Sequence, residues 1–163
     1  MSSAPHGLSI ALYQPDIPQN TGGMMRLCAC FGLGLHIIEP CGFILDDRKL
    51  KKAGMDYRLS VDPQRHRSWD SFLTDKPGRL VLATTKASIP YVDFHFEPGD
   101  VILMGRESSG VPDTVVDQVD ARVLIPMQPG QRSLNVAMSA GILAAEALRQ
   151  TGGFIDAASD SAG

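Results

Sequence analysis

Apolar residues fall along the chain in short unbroken runs, separated by polar loops and by stretches of helical spacing. Leu8 to Tyr13, Leu35 to Ile38, Arg79 to Thr84, Asp100 to Met104 and Ala121 to Ile125 read as strands, with Leu8 to Tyr13 and Asp100 to Met104 apolar enough to be buried. Between the first two, Met24, Met25, Leu27 and Cys28 predict a helix. Asn20 or Thr21 can cap it, it runs to about Phe31, and Gly32 and Gly34 stop it. The preceding Gln-Pro-Asp-Ile-Pro-Gln is too proline-rich for helix or central strand. Strand, loop, helix, strand is one β-α-β unit, so the expected class is α/β.

The later pattern is more broken. A short helix is expected from Asp46 to about Ala53, and Tyr57, Leu59 and Val61 alternate as in a strand. Pro63 to Thr74 reads as a helix anchored by Trp69, Phe72 and Leu73, and Pro112 to Val119 as a short one. Tyr91 to Phe96 carries no clear period. The last helix places Leu134, Met138, Ile142, Ala145 and Leu148 at helical spacing, with Ser133 at the N-cap position. Its small residues, Ala137, Ala140, Gly141 and Ala144, permit close helix packing within one chain or between two. The expected organisation is a flexible N-terminus over 1–7, one domain over 8–150, and a disordered tail over 151–163.

A chain of 163 residues with 44% hydrophobic content supports a single domain with a real core. No apolar run reaches membrane-spanning length, and Met1 to Gly7, broken by Pro5, does not read as a signal peptide. The three cysteines are read as reduced, in a cytoplasmic protein, and no Cys/His spacing supports a metal site. The net charge of −3 argues against bulk nucleic-acid binding, but its distribution changes the picture. From Arg48 to Arg67 stand seven basic residues (Arg48, Lys49, Lys51, Lys52, Arg58, Arg65, Arg67) against Asp56 and Asp62. Such a belt can track phosphates or be a solvated helix face.

Candidate chemistry gathers at three strand ends: Asn20 with Arg26, Gly105 to Gly110, and Arg132 to Asn135. Ligands of open α/β sheets bind at carboxyl ends of strands, where free backbone N–H groups of following helices point outward. Three familiar chemistries are excluded or disfavoured. Gly105 to Gly110 has P-loop spacing, but Val111 and Pro112 replace the lysine and hydroxyl residue. No Gly-x-Gly-x-x-Gly follows a strand. Ser139 sits in a partial nucleophile-elbow pattern that lacks its first glycine and falls within a helix.

Pro18 to Arg26 (Pro-Gln-Asn-Thr-Gly-Gly-Met-Met-Arg), Met104 to Pro112 (Met-Gly-Arg-Glu-Ser-Ser-Gly-Val-Pro), and Ile125-Pro-Met with Arg132 to Val136 (Arg-Ser-Leu-Asn-Val) resemble the three motifs of the SPOUT RNA methyltransferases. The spacer narrows the resemblance. Leu35 to Pro40, Gly42-Phe, Asp46-Asp, Lys51 to Tyr57 and Ala83 to Lys86 are similar to the short bacterial tRNA (cytidine/uridine-2′-O-)-methyltransferases of the wobble nucleotide. It spans roughly residues 8 to 150.

The resemblance implies an open, mostly parallel sheet flanked by helices, with a deep C-terminal trefoil knot that general topology rules would not have suggested. It implies S-adenosyl-L-methionine as cofactor, a tRNA anticodon stem-loop as substrate and a homodimer, with no metal and no membrane. Cofactor residues would be Ala83, Leu103, Met104, Gly105, Ile125, Met127, Ser133, Leu134 and Asn135. Arg26 would act as a base or hold the target phosphate and stabilise the developing alkoxide, with Asn20, Glu107, Ser133 and Asn135 orienting the reactants. Arg48, Lys51, Lys52, Arg58 and Arg132 would grip RNA. Arg106 is a departure, standing where close relatives often carry proline. Two other readings remain: the same chemistry on ribosomal RNA or another tRNA position, and a non-catalytic RNA-binding protein of this fold.

Overall fold

The computed structural model describes residues 6–45, 61–75 and 78–154. Six strands form one sheet: β1 (Ser9–Tyr13), β2 (Gly34–Ile38), β3 (Gln64–His66), β4 (Leu80–Ala83), β5 (Val101–Met104) and β6 (Ala121–Val123). All pairings are parallel, in the order β3-β2-β1-β5-β4-β6. Four α-helices are described: α1 (Pro18–Phe31), α2 (Trp69–Asp75), α3 (Asp113–Val116) and α4 (Val136–Thr151), with a 3-10 turn at Tyr91–Asp93.

The central strands are apolar throughout because both faces are covered. Alternate residues of β1 and β5 enter two cores. Ile10, Leu12, Ile102 and Met104 face α1 and α4, while Ala11, Tyr13, Val101 and Leu103 share the other face with Phe72 and Val115 of α2 and α3. At roughly 25 cal/mol per Å², full burial of each Leu or Ile contributes about 2 kcal/mol. Ala140 and Ala144 are fully buried in the first core, so these two small residues serve packing within the chain.

Several expectations are corrected. Helix α1 begins at Pro18, not at Asn20 or Thr21, and its N-cap is Ile17 without a side-chain cap. Pro18 is tolerated because the first-turn N–H has no intrahelical partner to lose. The expected helix over Pro63 to Thr74 is instead edge strand β3 followed by α2 from Trp69. Asn135, not Ser133, caps α4, its Oδ1 accepting from the N–H of Ala137 (2.8 Å) and Met138 (3.2 Å). The start of the expected tail is ordered: Thr151 ends α4, Gly152 caps it, and the Phe154 ring meets Phe31 edge-on at 5.7 Å. The expected helix over Asp46 to Ala53, and Tyr57 and Leu59, lie outside the described residues.

Under the sheet, His36 of β2 and His66 of β3 meet on neighbouring strands, with 3.0 Å between Nδ1 and Nε2. Phe72 stands edge-on to both rings, at 5.5 and 5.1 Å. Burial, and then the neighbouring ring's charge, push His36 down to about 4, and burial lowers His66.

Candidate active site

Because every strand runs the same way, the loops after β1, β4, β5 and β6 emerge on one edge, around the point where strand order reverses. They enclose a cleft of about 650 Å³, within the range of pockets for small organic ligands. Gln14 leaves β1 in the left-handed region (φ 43°). The loop after β5 closes through paired bonds between Arg106 and Gly110, N–H to carbonyl at 3.0 and 2.9 Å. A Cβ at Gly105 would lie 2.8 Å from the Gly110 backbone, so this closure requires glycine there.

The three motifs meet at this cleft. Asn135 Nδ2 donates to Asn20 Oδ1 (3.0 Å), and Asn20 Nδ2 donates to Glu107 Oε1 (3.4 Å). The Asp16 N–H donates to Glu107 Oε2 (3.0 Å). Asp16 in turn accepts the Ser108 hydroxyl and faces Arg106 Nη2 at 3.6 Å. The hydrogen bond from Glu107, then that from Ser108, hold the Asp16 carboxyl down to about 2, with the Arg106 charge contributing less. Burial, then the Asp16 carboxylate, raise Glu107.

Of the expected cofactor residues, Ala83, Met104, Gly105, Ile125, Met127, Ser133, Leu134 and Asn135 line the cleft. Leu103 does not: it is fully buried in the second core, because successive strand residues point to opposite faces. Of the expected catalytic residues, Asn20, Glu107, Ser133 and Asn135 line the cleft, while Arg26 lies on an exposed side of α1 outside it. Arg132 is exposed and outside the lining, and Arg48, Lys51, Lys52 and Arg58 lie outside the described residues. Ser108, Lys86 and Arg122 line the cleft together with Arg106 but were not singled out in the sequence, nor was Asp16, which stands outside the lining against Ser108 and Arg106. Position at a strand's carboxyl end was the available signal for Asp16 and Lys86.

Beside the cleft, Leu27, Phe31, Leu134, Met138, Gly141, Ile142 and Ala145 form an apolar face on α1 and α4. Met138 there is 64% exposed. Leu134 belongs to both surfaces. Among the described residues no group of His, Cys, Asp and Glu could hold a metal ion, and no helix is long and apolar enough to cross a membrane.

A family model described as the SpoU rRNA Methylase family matches residues 7–145. A tRNA (cytidine(34)-2′-O)-methyltransferase of Beijerinckia indica subsp. indica is 56% identical over 146 residues, which cover 88% of this chain and 91% of that one. A solved structure described as giving structural insights into the 2-OH methylation of C/U34 on tRNA superposes with a TM-score of 0.82 at 41% identity, covering 88% of this chain and 95% of that chain. The SpoU methyltransferase AviRb from Streptomyces viridochromogenes, in complex with the cofactor AdoMet, shares the fold with a TM-score of 0.77 at 24% identity, covering 87% of this chain and 59% of that chain.

Proposed function

The chain belongs to the SpoU rRNA methylase family, and from that premise we propose that it transfers a methyl group from S-adenosyl-L-methionine to the ribose 2′-oxygen of the wobble pyrimidine, cytidine or uridine 34, of tRNA. The observation that carries this reading is the hydrogen-bonded line Asn135–Asn20–Glu107, which ties all three motifs together at one cleft. The relative at 56% identity bears the name of that reaction.

The cleft fits the cofactor in size and in character, with Ile125, Met127 and Leu134 as apolar wall and loop backbone for polar edges. Ala83, Met104, Gly105, Ile125, Met127, Ser133, Leu134 and Asn135 would hold it. When bound, it supplies an electrophilic methyl on a sulfonium whose charge is lost on transfer. The protein aligns the acceptor oxygen with that methyl, and alignment alone can lower a barrier by roughly 7–11 kcal/mol at best. A guanidinium holds its proton too tightly to serve as base, so we assign Arg26 the electrostatic role of holding the target phosphate and steadying the developing alkoxide, the hydroxyl proton leaving to solvent as the carbon–sulfur bond breaks and the carbon–oxygen bond forms. Asn20, Glu107, Ser133 and Asn135 orient the ribose and the cofactor.

The same reading extends to path and assembly. The Leu124 N–H donates to the Ile89 carbonyl and its own carbonyl accepts from Tyr91, both at 2.9 Å. The chain beyond β6 is thus clasped by the 84–93 loop before α4 returns against α1 and β5, a path that supports the trefoil knot. The apolar face on α1 and α4 supports a homodimer with the cleft near the interface, since Leu134 belongs to both surfaces. The belt with Arg48, Lys51, Lys52 and Arg58, together with Arg132, would grip the anticodon stem-loop, and the protein would work in the cytoplasm. Charge reversal across Lys51, Lys52 and Arg58 is expected to weaken tRNA binding roughly tenfold or more and to flatten its salt dependence, with cofactor affinity kept. Unchanged tRNA affinity would make the belt a solvated face.

The deciding experiment is methyl transfer from labelled S-adenosylmethionine to unmodified tRNA, with the labelled nucleotide mapped. Label on the 2′-oxygen of a position-34 pyrimidine is the expected result. Label elsewhere would assign another RNA target, and no transfer with no cofactor binding would assign a non-catalytic role.

A further inference from the structure

Asp16 stands between Pro15 and Ile17 in the loop after β1, outside the three motifs. It is held from every side. Its N–H grips Glu107, its carboxylate takes the Ser108 hydroxyl, and Arg106 Nη2 lies 3.6 Å away. The 39–45 segment packs over it: the Gly42 N–H donates to the Pro15 carbonyl at 3.0 Å, and a Cβ on Gly42 would come within 2.6 Å of Asp16 Cβ.

We propose that Asp16 and Arg106 form a positioning pair for methyl transfer, holding Glu107 at the cleft and, through it, Asn20 and Asn135. This rests on the function proposed above. Asp16 Oδ1 and Arg106 Nε are buried without hydrogen-bond partners among the described residues. The pair acts on Glu107 in two ways. Geometrically, the Asp16 N–H fixes one Glu107 oxygen, so that the other faces Asn20.

Electrostatically, two neighbouring carboxyls cannot both ionise cheaply. The hydrogen bond with Glu107, then the Ser108 hydroxyl and, with less effect, the Arg106 cation favour the Asp16 anion, while burial and then Asp16 make Glu107 keep its proton longer. Among the described residues, the other titratable or charged groups around this point are Cys41, pushed up to about 11 chiefly by burial and therefore neutral, and the cleft-lining Lys86, Asp113 and Arg122.

The test is Asp16→Asn in the full-length enzyme, with kcat, KM and the pH profile measured on tRNA. The Glu107 carboxyl is titrated in parallel by carbon-13 NMR, with Glu107→Gln fixing the assignment. Expected are a kcat loss of roughly tenfold to a hundredfold, little change in cofactor Kd, and an acidic limb moved down with the Glu107 midpoint by roughly one pH unit. Asp16→Glu should recover most of both. Wild-type kcat with an unmoved limb would overturn the proposal. So would losses that follow cofactor affinity or melting temperature and are not rescued by Asp16→Glu. If Asp16→Asn does not fold, Arg106→Gln carries the test: a several-fold fall in kcat at unchanged cofactor Kd supports the pair, and wild-type kcat overturns it. The NMR titration needs no turnover. A wild type that methylates no tRNA would therefore refute the proposed function, while an unmoved Glu107 midpoint in Asp16→Asn would separately refute the pair.

Discussion

Two pairs of titratable side chains are pressed together in this molecule, and they have been put to opposite uses. His36 and His66 meet under the sheet, walled by Phe72, with one nitrogen facing another at 3.0 Å. Both are pushed toward the neutral form, so one proton between them satisfies the contact. Asp16 and Glu107 meet at an open cleft among hydroxyl, amide and guanidinium groups. There the partners are driven apart: Asp16 is held down to about 2 and Glu107 is raised. An apolar surround makes two like groups behave alike. An asymmetric polar surround makes them differ, and difference is what acid–base and orienting roles need.

Glu107 is the most direct place to break the contrast between the two pairs. Glu107→Ala should lower kcat on the order of a hundredfold or more while leaving the melting temperature nearly unchanged, and a variant that turns over normally would remove the carboxyl pair from the site. His36→Ala should do the reverse. It opens a cavity beside Phe72 and strands His66, at a cost of about 3 kcal/mol in denaturant unfolding, with kcat retained at temperatures where the variant is folded. The smallest expected effect is that of acid on the wild type. The folded-state value of His36, about 4, lies below the ordinary value of 6.5, so the unfolded chain binds more protons in that window. The stabilisation is full above 6.5 and is lost as pH falls through about 4. Glu107, being raised, acts in the opposite sense as it takes its proton, and Asp16 responds only as pH falls from 3.8 toward 2. The acid loss below 6.5 should thus shrink in His36→Ala to the share left by His66 and His6, which burial also lowers, and persist in full in Asp16→Asn, as urea melts at several pH values would report.

Much of the framework was legible because parallel strands covered on both faces leave continuous apolar runs; β1 and β5 are apolar or small throughout and wholly buried. Strand β3 was not, since Gln64-Arg65-His66 is a short edge strand with one buried residue, and three residues cannot display a period. The cap of α4 was misplaced by two positions because Ser133 and Asn135 are both competent caps; the bond to Asn20, 115 residues away, accompanies the choice of Asn135. Three motifs at strand ends located the cleft, and period-two alternation would have rejected Leu103 beside Met104. The link between Asp16 and Glu107, 91 residues apart, joins two loops and leaves no local signature.

Leu134 is a wall of the cleft on one side and part of the uncovered apolar face on the other. Whatever settles against that face changes the surroundings of a residue that any occupant of the cleft also touches. The two events therefore share a coupling free energy, and thermodynamic reciprocity requires each to alter the affinity of the other by the same factor. Titrating self-association with and without a cleft ligand, then ligand affinity across protein concentration, would yield that factor twice.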